Sequence, residues 1–140
     1  VDVATADSGS STVTVRDGNG LGGFYGPNTM SVAGAARAIV LGDLNLDGRA
    51  DLLSADDTSP TVTVRYALPN GFFSSPTSFA TSASPRSILL GDLTSDGKPD
   101  VAVATSSGHR GEVLPGYGTG GFATALPFGY DFPCTVMAMG

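Results

Sequence analysis

Cysteine, histidine and tryptophan are scarce in this sequence. Its 140 residues include one cysteine, one histidine and no tryptophan. A single cysteine, Cys134, cannot form a disulfide within the chain, which excludes a scaffold held together by internal disulfides. Cys134 lies in an apolar stretch. We expect it to be either a small buried hydrophobe or the disulfide partner of a cysteine outside the sequence. His109 has no recognisable nucleophile or metal partner, and this favours a solvated loop residue over a catalytic base.

Basic residues are also few, with seven lysines and arginines against thirteen acids. Six of the seven recur in pairs 49 residues apart, so they mark a repeat rather than a basic patch. The sequence therefore gives no indication of nucleic-acid binding. No apolar run reaches the about 20 residues of a membrane-spanning helix, so we expect no membrane insertion. We identify no signal peptide.

Two nine-residue segments, 43–51 and 92–100, carry the chemistry that is present. They start 49 residues apart, and each has oxygen-bearing side chains at positions 1, 3, 5 and 9 and glycine at position 6. Calcium takes about six to eight oxygen ligands, which alternate residues of a tight loop can supply. Glycine permits the sharp turn. An Asp/Asn/Gly turn that binds nothing is the alternative, but two copies in the same phase favour about two Ca²⁺ sites.

These segments differ from EF-hand loops. An EF-hand has a bidentate Glu at position 12 and a helix on each side, whereas position 12 here is Ser54 or Val103. The flanking residues are short apolar runs rich in β-branched side chains, such as residues 38–42 and 100–104, and such runs are typical of buried strands. The predicted metal loop therefore connects two strands.

The repeat continues beyond the loops. The segment Thr-Val-Thr-Val-Arg at 12–16 recurs at 61–65, and its strict alternation predicts a half-buried strand. A glycine turn ending in Gly-Phe follows at residues 23–24, 71–72 and 121–122. Four short strands in about 49 residues are typical of a β-propeller blade. We predict an all-β chain without helices, in antiparallel four-stranded sheets, with strands near 38–42, 51–56, 61–67 and 77–81 and equivalents 49 residues later.

The order of these elements resembles the FG-GAP/VCBS repeat, which builds the propellers of integrin α-chains and of many secreted bacterial proteins. The resemblance covers essentially the whole chain. It implies a calcium loop between the first and second strands of each blade. It also implies two sets of metal ligands. The implied side-chain ligands are Asp43, Asn45, Asp47 and Asp51 in the first loop and Asp92, Thr94, Asp96 and Asp100 in the second, with backbone carbonyls from Arg49 and Lys98.

The period also predicts how the chain is divided. We expect one β-propeller domain over residues 1–140, with a partial blade at 1–36, blades at 37–85 and 86–132, and the first strand of a next blade at 133–140. Asp2 matches loop position 9, as if seven residues of a metal loop were missing before it. Propellers close with about four to eight blades, so we expect an incomplete propeller of about three blades. Further blades of the same protein or neighbouring copies would close it.

Two classes of function fit these features. The first is a non-catalytic, calcium-stabilised propeller segment, secreted or on the cell surface, that acts in adhesion, recognition or structural assembly. Its protein or carbohydrate ligand is not indicated by the sequence. The second is a propeller or lectin-like domain attached to a secreted enzyme whose catalytic residues lie outside this chain. Tyr25, Phe73 and Tyr117 are the candidates for stacking on a sugar, although such residues more often fill gaps between blades.

Overall fold

The computed structural model describes residues 2–7, 9–106 and 111–128. These residues form eleven strands in three antiparallel sheets and contain no helix, which confirms the predicted all-β class. It follows that the described residues include no helix of the length and hydrophobicity that crossing a membrane requires. The predicted strand at 133–140, together with Cys134 and His109, falls outside the described residues.

Each sheet is an antiparallel meander in which strands adjacent in the chain pair with one another. The first sheet contains β1 (Val3–Asp7), β2 (Thr12–Arg16) and β3 (Asn28–Ser31). The second contains β4 (Ala36–Gly42), β5 (Asp51–Asp56), β6 (Thr61–Arg65) and β7 (Thr77–Ala80). The third contains β8 (Pro85–Gly91), β9 (Asp100–Thr105), β10 (Gly111–Leu114) and β11 (Leu126–Phe128).

Two details of the sequence prediction are wrong. The third strand of the second sheet ends at Arg65 instead of residue 67, because Tyr66 leaves the ladder and Ala67 forms only an isolated bridge with Phe73. The Gly-Phe turns are also misaligned by one residue in the second repeat. The bridges Gly18–Phe24, Ala67–Phe73 and Gly116–Phe122 show that Phe73, not Phe72, is the equivalent of the other two phenylalanines. The position of the bridged phenylalanine after the turn is therefore constant, whereas the residue before it is glycine in the first and third repeats and Phe72 in the second.

The three sheets stand side by side as blades. The first strand of the second sheet, β4, contacts the first strands of both neighbours, β1 and β8. The middle sheet therefore has a neighbouring blade on both faces; all six residues of its strand β5 are buried, as are all six of β9 in the third sheet. The same arrangement explains why one pentapeptide has two burial patterns. In β2 the first four residues of Thr-Val-Thr-Val-Arg alternate between half-buried and buried and the arginine is exposed, but in β6 everything after the first threonine is buried.

Alternate residues of the middle sheet pack against different neighbours. Leu52 belongs to a small cluster with Val13 and Val32 of the first blade. Leu53 belongs to a larger cluster that includes Val101 and Leu114 of the third blade. This side-to-side alternation is the expected consequence of strand geometry. Both clusters bury aliphatic side chains, which is the main favourable contribution to packing blades together.

A buried carboxylate closes the middle hairpin between β5 and β6. Asp56 is fully buried, and its oxygens accept hydrogen bonds from the hydroxyls of Thr63 (2.6 Å), Thr61 (3.2 Å) and Ser54 (3.3 Å). Burial raises the pKa of Asp56 above its ordinary value, and the hydroxyl donors oppose that rise. Satisfied hydrogen bonds are what allow a charged group to lie inside the packed sheets.

Arg65 joins the first and second blades. It is 9% exposed, and its Nε donates to the Ser31 carbonyl at 2.9 Å. Its Nη1 donates to the Ser74 carbonyl at 2.6 Å. Burial lowers the pKa of Arg65, but a guanidinium keeps its charge at any ordinary pH. Arg65 therefore connects the last strand of one blade to the turn of the next through directional hydrogen bonds.

Candidate metal-binding loops

The first predicted metal loop connects β4 to β5 at one end of the middle blade. Asp43 at its start holds the turn together, since its Oδ1 accepts from the Asp47 amide at 3.0 Å and its Oδ2 from the Gly48 amide at 2.8 Å. Gly48 has a φ of +86°, the left-handed conformation that favours glycine. Leu46 also has a positive φ, of +60°, which is uncommon for a residue with a branched side chain.

The second loop, between β8 and β9, repeats this geometry. Asp92 accepts from the amides of Asp96 and Gly97 at 3.0 and 2.9 Å. Gly97 has a φ of +80°, and Ser95, the equivalent of Leu46, has a φ of +61°. The same unusual backbone recurs with different side chains at that position. The fold of the loop is thus determined by the aspartates and the glycine, and not by the residue in the left-handed conformation.

A basic residue at position 7 of each loop pairs with the carboxylate at position 5. Arg49 contacts Asp47 through its guanidinium, and Lys98 Nζ lies 2.8 Å from Asp96 Oδ2. The Lys98 hydrogen bond holds the pKa of Asp96 below its ordinary value, and the same bond raises the pKa of Lys98. These pairs are exposed, so their electrostatic contribution to stability is small.

The aspartates at position 9 face the interior of the sheet. Asp51 is fully buried, its Oδ2 accepts from the Leu44 amide at 3.0 Å, and its Oδ1 accepts from the Ala67 amide at 2.8 Å. Burial raises the pKa of Asp51, against the two amide hydrogen bonds, and the nearby Asp47 and Asp43 carboxylates raise it further. Asp51 therefore connects the loop to the following hairpin, a contact across sixteen positions that the sequence analysis missed.

This connection recurs in all three blades. Asp100 accepts from the Gly116 amide at 2.8 Å, and Asp2 accepts from the Gly18 amide at 2.9 Å. In every repeat an aspartate stands at or just before the start of the second strand, and the amide that it binds lies sixteen residues later. This constant spacing is the sequence signal that could have revealed the contact. Position 9 has a fixed structural role in this chain, independent of any ion.

The donor set of both loops fits a hard cation. In the first loop Asp43, Asn45 and Asp47 lie together, since the Asp47 amide donates to Asp43 Oδ1 and also, at 3.1 Å, to Asn45 Oδ1. Each carboxylate oxygen has two lone pairs and so keeps acceptor capacity beyond these bonds. Within the described ranges, no three acidic, histidine or cysteine side chains converge closely enough to hold a metal ion as they stand. The Asn45 amide instead donates to Asp47 Oδ2 at 2.8 Å.

The predicted sugar-stacking residues do not form one surface by repetition. Tyr25 and Tyr117 are 63% and 57% exposed, whereas Phe73 is half-buried and packs against the smaller core cluster. The three rings also occupy three different positions of the repeat, because the equivalent of Phe73 is Phe24 in the first blade and Phe122 in the third. The repeat alone therefore does not create an aromatic platform.

Comparison with protein families agrees with the repeated architecture. Residues 1–54 and 43–103 match the FG-GAP-like repeat, and residues 84–125 match the FG-GAP repeat. The chain belongs to the FG-GAP repeat family. No curated protein matches it significantly. The three meander sheets are thus β-propeller-like FG-GAP repeats, and each junction between two consecutive matched repeats falls near one of the acidic loops.

Proposed function

We propose that this chain is a calcium-stabilised segment of an extracellular β-propeller, with a non-catalytic role in adhesion, recognition or assembly. The observation that carries the calcium assignment is the identical fold of loops 43–51 and 92–100. In both, the position-1 carboxylate gathers the amides of positions 5 and 6, and the residue at position 4 has a left-handed backbone. Backbone in that region costs about 1–3 kcal/mol, and such strain is found where a binding site constrains the chain.

A structural ion fits these loops better than a catalytic one. Every aspartate of the two loops already accepts at least one main-chain hydrogen bond. When bound, Ca²⁺ would neutralise the clustered carboxylates; Asp43, Asn45 and Asp47, and Asp92, Thr94 and Asp96, would hold it. The buried Asp51 and Asp100 would add the fourth side chain of each set.

The extracellular location follows from the same proposal. Loops of this kind with modest affinity, on the order of 10⁻⁴–10⁻³ M, are occupied where calcium is abundant. A closed propeller takes about four to eight blades, so we propose that further blades, from the same polypeptide or from neighbouring copies, adjoin these three.

Calcium removal tests this proposal. A cation that binds only the native state stabilises it by about 1.4 kcal/mol at a free concentration ten times Kd. EDTA should therefore lower the melting temperature of the folded protein, and calorimetric titration should detect two sites. Asp47→Asn should remove one site, while Asp17→Asn, the same charge change at an exposed residue outside the loops, should leave both. An unchanged melting curve in EDTA, with no heat of binding, would disprove the calcium assignment.

A further inference from the structure

A cleft of about 530 Å³ lies between the second and third blades, outside the acidic loops. Its walls come from the end of β7, from β10 and from the turn that precedes β11. Phe79 and Phe122 meet edge to face on its apolar side, with ring centroids 5.0 Å apart. Its volume lies within the range of small-molecule sites, about 300–1,000 Å³.

The cleft occupies the place that a guanidinium fills one repeat earlier. Arg65, Ser31 and Ser74 form the hydrogen-bonded junction between the first and second blades. Their equivalents 49 residues later are Leu114, Ala80 and Ala123, and all three line the cleft. Leucine is too short to cross to the neighbouring blade and carries no donor. The junction between the second and third blades therefore keeps the two main-chain positions that accept the Arg65 hydrogen bonds at the first junction, but it lacks the cation.

The same wall of the cleft carries a carboxylate that the first junction lacks at the equivalent position. Glu112 takes the repeat position of Thr63, lines the cleft and is 2% exposed. Its oxygens accept from the Ser82 amide, at 3.1 Å for Oε2, and from the Ser82 hydroxyl. Within residues 2–7, 9–106 and 111–128, Glu112 takes part in no ion pair. A buried carboxylate with no countercharge among these residues favours the binding of a cation beside it.

We propose that this cleft binds a small organic cation of the alkylguanidine class. The guanidinium would take the place of the Arg65 head group, facing the Ala80 and Ala123 carbonyls and the Glu112 carboxylate. The alkyl stem would pack against the Phe79 and Phe122 rings. A guanidinium is planar and has several N–H donors, so it can bind a carboxylate and the carbonyls beside it at the same time, which an ammonium does less well because it acts as a point charge. The site is independent of the proposed calcium loops.

Calorimetric titration of the folded protein with butylguanidinium, at constant calcium, tests the proposal. Butylurea, the neutral isostere, should bind at least roughly tenfold more weakly, because a hydrogen bond to a charged group is the stronger kind. Glu112→Gln keeps an acceptor for Ser82 and should weaken butylguanidinium binding by a similar factor. Leu114→Arg should abolish binding, since it restores the side chain that fills the equivalent space at the first junction. Asp7→Asn, a carboxylate change in the first blade, should leave binding unchanged.

Several results would overturn the inference. Equal binding of butylurea, or no loss of binding in a folded Leu114→Arg variant, would show that the cleft recognises no cation. No detectable butylguanidinium binding to the wild-type protein would have the same meaning. Arg110 precedes Glu112 by two residues in the sequence, so Arg110→Ala is included. A marked gain of affinity in that variant would mean that the chain's own arginine is the occupant. Circular dichroism melts of each variant establish that the protein titrated is folded.

Discussion

Replacing Thr63 by valine should destabilise the protein more than the same replacement of Thr14, its repeat equivalent. Both threonines belong to a Thr-Val-Thr-Val-Arg strand and donate to an aspartate, Thr63 to Asp56 and Thr14 to Asp7. Thr63 and Asp56 are buried between two blades, whereas Thr14 and Asp7 are half-buried. Valine keeps the shape of threonine but removes the hydroxyl, so the two variants differ mainly in the burial of the carboxylate that loses its donor.

The expected magnitudes follow from the two sites. The Thr63 hydroxyl lies 2.6 Å from Asp56 Oδ2, and without it a fully buried charge loses a donor that water cannot replace. Losing a hydrogen bond to a charged group costs about 1.5–3 kcal/mol. Water can reach the half-buried Asp7, so Thr14→Val should cost nearer the ordinary value for a hydrogen bond, about 0.5–1.5 kcal/mol.

The Thr63→Val effect should also depend on pH. Burial already raises the pKa of Asp56, and the Thr63 hydrogen bond lowers it, so the variant raises the folded-state pKa further. When the folded pKa lies above the unfolded value, protonation favours the folded state, and that contribution is lost as pH rises through the folded pKa. The cost of Thr63→Val should therefore be fully present at neutral pH and shrink as pH falls toward the ordinary aspartate value of 3.8.

Urea denaturation of wild type, Thr63→Val and Thr14→Val, in EDTA at pH 7 and near pH 4.5, measures both effects. The midpoints should separate the variants at pH 7 and converge for Thr63→Val at the lower pH, with unchanged slopes. Equal losses for the two variants, or a Thr63→Val penalty that does not change with pH, would refute the account of Asp56 as a charged group stabilised by buried hydroxyls.

Three further variants probe the loops and the blade junction. Gly48→Ala should lower the free energy of unfolding, measured in urea, by about 1–2 kcal/mol. The cost comes from the φ of +86°, since a Cβ at this position would meet no other atom. Gly26→Ala, with open space and no positive φ, is the control, and equal effects of the two variants would contradict the argument. Asp51→Asn should lower the denaturation midpoint even in EDTA, whereas Asp47→Asn should not. Equal midpoints for these two variants in EDTA would show that Asp51 does not stabilise the sheet. Arg65→Met should lower the melting temperature and loosen the first junction, detected by faster hydrogen exchange in β3; unchanged exchange would refute this.

Much of the fold could be predicted from the sequence because the repeat is local and periodic. Alternating Thr-Val-Thr-Val and short apolar runs indicate strands, and an aspartate-glycine loop placed between two of them fixes a hairpin. The left-handed backbone at Gly48 and Gly97 agrees with the turn predicted at loop position 6. The calcium ligands stay a prediction; what the structure shows is that the Asp47 amide donates to both Asp43 and Asn45.

The features that escaped prediction depend on contacts between distant residues. Burial of Thr63 but not Thr14 depends on whether a blade covers that face, and identical pentapeptides cannot encode it. Asp51 is recognisable in the sequence as a predicted metal ligand, but the Leu44 and Ala67 amides that it binds are not. The cleft beside Glu112 is visible in the sequence only as two departures from the repeat, Glu112 at the position of Thr63 and Leu114 at the position of Arg65.

The unlike junctions between the blades bear on how a chain of similar repeats avoids misassembly. Tandem units with the same strand pattern can dock out of order, and such mispairing is a common failure of repeat proteins. Arg65 finds its acceptor on the last strand of the first blade, while the third blade offers the second an apolar surface and Glu112. A third blade docked on the first would place Leu114 opposite the Ser31 carbonyl, which would then lose the Arg65 hydrogen bond. Arg65 at the first junction and Leu114 at the second therefore make the two junctions chemically different, and this difference favours the observed order of the blades.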